Sequence, residues 1–164
     1  MAKLSVVATP IGNMSDITLR AIDVLRTADM VLCEDTRVTH KLLAHHSITT
    51  KLESFHEHSA PAKMTRILAC LEQGMHLALV TDAGTPCVSD PGARLVAAVR
   101  KQLPHVGIET VPGPSALSAF IAISGLTQTH FIFLGFLTHK KGRATVLREI
   151  AASARPVVFY ESPH

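Results

Sequence analysis

Short apolar runs alternate with amphipathic stretches along almost the entire chain, and this alternation constrains the fold more than any other feature. Leu4–Thr9, Met30–Cys33, Lys51–Phe55, Leu77–Thr81 and Gly107–Val111 read as strands. Between them, Thr18–Ala28, Arg37–His45, Ala60–Glu72 and Pro91–Lys101 place apolar residues three or four apart, as in Leu19, Ile22 and Leu25, and read as helices. Strand and helix in regular turn predict α/β layers around a largely parallel sheet. The segment Val111-Pro112-Gly113-Pro114-Ser115 breaks the pattern, because two prolines and a glycine cannot continue a strand, while Pro114 suits the first turn of a helix. A boundary there makes residues 1–112 a complete N-terminal α/β domain. Residues 113–164 are expected to be the incomplete start of a second α/β domain: helix Ser115–Ile123, strand Phe131–Phe136, helix Arg143–Ala152 and strand Pro156–Glu161. Two strands and two helices are too few for an independent layered domain.

With 47% hydrophobic residues, 164 residues can bury one good core. The net charge of +3 permits a nucleic-acid partner without demanding one. Cys33, Cys70 and Cys87 are odd in number and form no C-x-x-C, which argues against a disulfide framework or a zinc knuckle and sets a cytoplasmic location as the expectation. The apolar run Leu4–Ala8 is broken by Pro10, Gly12 and Asn13 and cannot be a signal-peptide core. Ala116–Ile123 falls far short of the roughly 18 apolar residues of a membrane span, so no membrane partner is expected.

Four segments carry candidate chemistry. Thr9-Pro10-Ile11-Gly12-Asn13 follows the first strand and precedes a helix capped at Thr18; such a turn lets main-chain groups face a ligand, or simply turns the chain. It matches neither G-x-G-x-x-G nor a Walker loop, so a nucleotide-binding protein is the weakest reading. Asp82-Ala83-Gly84-Thr85-Pro86-Cys87-Val88-Ser89-Asp90-Pro91-Gly92 follows a very apolar strand, at the end of an α/β sheet where ligands bind. Asp90 also suits an N-cap with Pro91 at N1, which explains part of that composition. In Glu34-Asp35-Thr36-Arg37, clustered carboxylates beside an arginine suit either proton removal from a hydroxyl or an ordinary helix cap with a surface ion pair. His139-Lys140-Lys141-Gly142-Arg143 puts cations at a helix N-terminus, where they oppose the macrodipole, and reads as a phosphate contact or as a solvated loop. His56-Glu57-His58 and His45-His46 suggest a metal, but no third ligand stands at a fixed spacing, so solvated histidines and no metal are expected.

Taken together, V-A-T-P-I-G-N-x-x-D-I-T, E-D-T-R, D-A-G-T-P-x-x-S-D-P-G, V-P-G-P-S-A, G-F-L and Y-E-S-P-H, in this order, resemble the ribosomal RNA 2′-O-methyltransferase I family of the tetrapyrrole-methylase superfamily. Precorrin and diphthine methyltransferases usually carry G-x-G and G-D-P where this chain has Thr9-Pro10-Ile11 and Gly84-Thr85-Pro86, departures that favour the RNA branch. The resemblance implies a class III (tetrapyrrole-methylase-like) methyltransferase fold with S-adenosyl-L-methionine in the interdomain cleft. It places the donor at Pro10, Ile11, Gly12, Asp82, Gly84, Thr85, Val88, Ser115, Ala116 and Gly135. It further implies methylation of a decoding-centre cytidine 2′-oxygen in 16S ribosomal RNA, the small ribosomal subunit as partner, and a homodimer at full length. Asp35 and Glu34 are then the candidates for proton removal, and Arg37, Lys140, Lys141 and Arg143 the candidates for RNA contact. Family members continue well beyond Y-E-S-P-H, so weak donor binding and no methylation are expected of these 164 residues alone. A precorrin-type C-methyltransferase and a non-catalytic RNA-binding fragment stay open as alternatives.

Overall fold

The computed structural model describes residues 2–57, 59–138, 140 and 142–162. They form two compact units that divide between Ala116 and Leu117. In the first, five strands, β1 (Lys3–Val7), β2 (Met30–Cys33), β3 (Leu52–Ser54), β4 (His76–Leu79) and β5 (Gly107–Val111), make one sheet in the order β3-β2-β4-β1-β5. Every pairing is parallel. The helices between them are α1 (Leu19–Thr27), α2 (Thr36–His45), α3 (Pro61–Glu72) and α4 (Gly92–Gln102).

Side chains alternate across the sheet with the period of two that an extended strand imposes. Leu4, Leu32, Leu77 and Leu79 face a core with Ile67 and Leu71 of α3 and Leu95 and Val99 of α4. Val7, Val31, Cys33, Ala78 and Val80 face a second core with Ala21 and Leu25 of α1 and Leu43 of α2. The strand order explains this division. The crossovers through α1 and α2 move toward the β3 edge, and those through α3 and α4 toward the β5 edge. Right-handed crossovers running in opposite directions must cover opposite faces. Adjacent strands β1 and β4 therefore send their helices to different faces, which opens a crevice at their carboxyl ends.

Several boundaries differ from those the sequence predicts. A 3₁₀ turn, Met14–Asp16, precedes α1, with the Asn13 side chain accepting from the Ser15 N–H at 3.0 Å. Helix α4 begins at Gly92 with Pro91 as its N-cap, one residue later than expected, although Asp90 still accepts the Gly92 N–H at 2.8 Å. Helix α5 (Ala116–Ile123) likewise starts after Pro114, whose carbonyl instead takes the Thr85 hydroxyl.

Polar residues on the α1/α2 face of the sheet form one network at the amino ends of three strands. The buried Ser5 hydroxyl donates to Glu109 at 2.6 Å and lies 2.8 Å from His76 Nε2. Because that hydroxyl proton goes to Glu109, Nε2 carries the hydrogen of the second bond. Lys3 Nζ completes the network 2.9 Å from Glu109, and the Asp29 carboxylate accepts the His76 main-chain N–H. Burial, and secondarily Lys3, lowers the His76 pKa; hydrogen bonds from Ser5 and Lys3 lower that of Glu109. Both shifts mean that the unfolded chain binds protons more readily than the folded one. The stability they confer is complete above the ordinary histidine value of 6.5 and is lost as pH falls through the folded values of His76 and then Glu109. Urea midpoints measured from pH 7.5 to 4 should fall steadily, and His76→Gln should flatten the upper part of that decline.

The second unit holds most of α5, strands β6 (Ile132–Phe136) and β7 (Val157–Tyr160), and helix α6 (Arg143–Ala151). β6 and β7 pair in parallel, Ile132 with Val157 and Phe133 with Val158, and the register shifts before Phe136 meets Tyr160. Gly135 sits inside that irregularity with φ 64°, a backbone region that suits glycine. Phe120, Ile123, Leu134 and Phe136 are exposed. Among the described residues no helix is long and apolar enough to cross a membrane.

Candidate functional site

The carboxyl ends of β1 and β4 each run into a backbone-rich loop, and the two loops are joined. The Thr9 N–H donates to the Gly84 carbonyl at 2.9 Å and the Gly84 N–H to the Thr9 carbonyl at 3.0 Å. The buried Thr9 hydroxyl adds a bond to the Thr81 carbonyl at 3.1 Å. The Ala8 N–H goes to Val111. The first loop is therefore less open than its composition suggests. Its N–H groups are spent as far as Thr9, Pro10 has none, and the first available to a ligand is that of Ile11.

Gly84 has φ 87°, and a Cβ placed on it would come 3.3 Å from Ile11 Cγ2. The two loops touch at this point through a backbone that only glycine adopts without strain. Thr85 ties the second loop to the turn before α5 through its 3.0 Å bond to Pro114. Val88 is exposed, Ser115 half-buried, and Ala116 exposed at the start of α5. Pro10, Ile11, Gly12, Asp82, Gly84, Thr85, Val88, Ser115 and Ala116 thus all belong to the first unit. Gly135 belongs to the second.

The carboxylates after β2 have distinct partners. Asp35 is the N-cap of α2; it accepts the Arg37 N–H at 2.8 Å and grips the Arg37 guanidinium, with Nη2 at 2.6 Å. Hydrogen bonds from Arg37 hold its pKa at about 2. This is the cap with a surface ion pair that the sequence allowed. Glu34 is half-buried and takes the Thr81 hydroxyl, while Asp82 Oδ1 accepts the Asp35 N–H at 3.1 Å. The ends of β2 and β4 are linked twice.

Beside these carboxylates lies a cavity of about 130 Å³. Pro10, Met14, Val38 and Leu42 give it apolar walls, and Thr9, Thr39 and Thr81 add polar lining. Asp82 completes it. The sequence reading missed the walls contributed by α2 and the 3₁₀ turn. Their one legible sign is the i, i+4 spacing of Val38 and Leu42, which puts both on one helix face.

The basic cluster lies in the second unit. Lys140 is exposed, and Arg143 opens α6 with its guanidinium 2.7 Å from Glu161. His139 and Lys141 lie outside the described residues, as does His58 of the His56-Glu57-His58 segment. Among the described residues no group of three or more His, Cys, Asp or Glu is arranged to hold a metal ion. Cys33, Cys70 and Cys87 are free, and burial pushes the Cys87 thiol up to about 11.

Comparison with known proteins places this architecture. The family model for Tetrapyrrole (Corrin/Porphyrin) Methylases matches residues 3–164. A ribosomal RNA small subunit methyltransferase I from Synechocystis sp. is 44% identical over 100% of this chain and 58% of its own length. Proteins of the same name from Thermotoga maritima and Vibrio cholerae are 44% and 48% identical, covering 99% and 98% of this chain and 72% and 56% of theirs. The chain thus spans little more than half the length of the Synechocystis and Vibrio relatives. Among solved structures, uroporphyrin-III-C-methyltransferase from Thermus thermophilus aligns over 99% of this chain and 68% of its own, at 25% identity and a TM-score of 0.63. Diphthine synthase aligns over 98% of this chain and 64% of its own, with a TM-score of 0.70 at 14% identity, a likeness of fold alone. The parallel sheet, the joined loops at its carboxyl edge and these matches agree: the chain belongs to the tetrapyrrole methylase family and, within it, to the ribosomal RNA small subunit methyltransferase I group.

Proposed function

We propose that the chain carries the donor-binding half of an S-adenosyl-L-methionine-dependent methyltransferase that modifies the 2′-oxygen of a decoding-centre cytidine in 16S ribosomal RNA. The observation that carries this reading is the joined pair of loops at the ends of β1 and β4, in a chain whose curated relatives bear an RNA methyltransferase name. The residues fit such a donor. No atom lies within 4 Å of a Cβ placed on Gly12, so the backbone beyond Pro10 is open, while Gly84 brings the loops together.

When bound, the donor supplies a sulfonium methyl already activated by positive charge. The protein's part is then alignment and exclusion of water. Pro10, Ile11, Gly12, Gly84, Thr85 and Val88 hold the donor through the two loops. Ser115 and Ala116 hold it from the start of α5, and Gly135 is assigned to it by resemblance. The proton of the attacking hydroxyl passes to a carboxylate. Asp35, held near 2 by Arg37, is a weak base, and its role is to fix the start of α2. Glu34 is the acceptor. The small ribosomal subunit is the partner, the cytoplasm the location, and a homodimer the working state of the full-length protein.

Calorimetry with S-adenosylhomocysteine, followed by methyl transfer to small ribosomal subunits and to uroporphyrinogen, tests this reading in the full-length protein. Donor-product binding with transfer to ribose supports it. Transfer to the tetrapyrrole carbon, or RNA binding with no affinity for the donor product, overturns it.

RNA contact has its own test. Replacing Lys140, Lys141 and Arg143 with Gln should reduce the slope of log affinity against log salt by about 1–2, since each phosphate contact contributes roughly 0.7–0.9. Arg143 already pairs with Glu161, so the lysines should account for most of that change. An unchanged slope in filter binding would mark the cluster as a solvated loop.

A further inference from the structure

The cavity between the β1 loop and α2 shares Pro10 and Gly12 with the proposed donor site, but Met14, Val38, Thr39 and Leu42 in its walls belong to neither donor loop. We propose that it holds one amino-bearing nucleobase of the RNA substrate, with Asp82 as the residue that reads the amino group. This assignment rests on the methyltransferase reading above and moves Asp82 from donor to substrate.

Size is the first argument. About 130 Å³ is well below the ~300–1,000 Å³ of pockets that enclose a whole drug-sized ligand, so the cavity suits a single ring system. Shape and polarity are the second. Met14 and Val38, each 39% exposed, and the buried Leu42 give the cavity apolar walls of the kind a flat ring packs against.

Asp82 supplies the selectivity. Its Oδ1 is engaged by the Asp35 N–H, and among the described residues Oδ2 has no hydrogen-bond partner. A carboxylate oxygen accepts and does not donate. It therefore welcomes the exocyclic amino group of cytosine, adenine or guanine and repels the carbonyl that uracil presents in place of the cytosine amino group. Thr81 connects the cavity to the chemistry: it lines the space and donates its hydroxyl to Glu34, the proposed proton acceptor.

Asp82→Asn is the informative variant. Asparagine keeps an oxygen for the Asp35 N–H but presents an amide donor in place of Oδ2. Binding of cytidine, adenosine and uridine monophosphates should be measured in the full-length protein saturated with S-adenosylhomocysteine, which removes competition at the donor site. The wild type should prefer the cytidine or adenosine nucleotide over uridine by about tenfold, and Asp82→Asn should lose or reverse that preference while its affinity for S-adenosylhomocysteine stays within about twofold. Val38→Trp, which fills the cavity, should weaken all three nucleotides and spare the donor product. Equal binding of the three nucleotides by the wild type, or no measurable binding of any, overturns the assignment. So does loss of S-adenosylhomocysteine affinity in Asp82→Asn or Val38→Trp, which would give the cavity to the donor. A wild type that binds no S-adenosylhomocysteine refutes the methyltransferase reading instead, and the nucleotide preference is then scored separately.

Discussion

Gly84→Val should lower affinity for S-adenosylhomocysteine by more than tenfold in the full-length protein. Two effects act together. The left-handed backbone at φ 87° costs a residue with a Cβ roughly 1–2 kcal/mol, more for a branched one. The Cβ itself would stand 3.3 Å from Ile11 Cγ2 and 3.8 Å from the Pro114 carbonyl, so the valine methyls must displace one of the two walls. Relaxation toward an ordinary backbone angle would break the paired hydrogen bonds with Thr9 and separate the loops. Gly84→Ala, which adds one carbon, should show an intermediate loss. Calorimetry decides the matter, with circular dichroism to establish that the sheet persists. Unchanged affinity in a folded Gly84→Val protein would mean that the donor binds elsewhere.

The second large effect concerns stability. Leu77 lies in the central strand β4, fully buried between β1 and β2 and packed into the α3/α4 core. Leu77→Ala should cost about 2–5 kcal/mol through lost transfer energy and the cavity left behind. That is a large share of the roughly 5–15 kcal/mol available to a domain, and at about 2–4 °C per kcal/mol the melting temperature should fall by roughly 4–20 °C. Leu19→Ala is the matching control. Leu19 belongs to the periodic pattern that marks α1, yet it is 82% exposed, and its removal should change stability by less than about 0.5 kcal/mol. Similar losses from both substitutions would contradict the placement of the core.

That contrast shows how far the sequence could be read. Periodicity revealed α1 because Ile22 and Leu25 carry the pattern, but it could not distinguish the buried Leu25 from Leu19 in the first turn. Strands β2 and β5 were legible to the residue, Met30–Cys33 and Gly107–Val111. β1 and β4 were read two residues too long at their carboxyl ends for a physical reason. Ala8, Thr9 and Val80 remain tied to neighbouring segments by hydrogen bonds to Val111, Gly84 and Leu32, and their apolar or β-branched character continues. The two loops were visible as clusters of proline and glycine. The bond between them was not, because Thr9 and Gly84 are distant in sequence and neither residue type announces a partner. The carboxylates were ambiguous for a similar reason: only distances separate Asp35, committed to Arg37, from Glu34 and Asp82, which meet Thr81 and the Asp35 main chain. Val38 and Leu42 read as ordinary helix-face residues, so the cavity they wall left almost no trace.

The strand order also governs how the chain reaches this structure. β1 is made first but pairs only with β4 and β5, beginning at residues 76 and 107. At a synthesis rate of ~5–20 residues per second, the first strand waits roughly 5–20 s for its second neighbour, with Leu4, Val6 and Val7 lacking their final cover. β2 and β3 are the one pair in the sheet that is consecutive in sequence, so an early hairpin-like nucleus around β1 is impossible. High contact order of this kind predicts refolding on the millisecond-to-second scale, and nascent chains shorter than about 110 residues should be sensitive to proteases and dependent on chaperones.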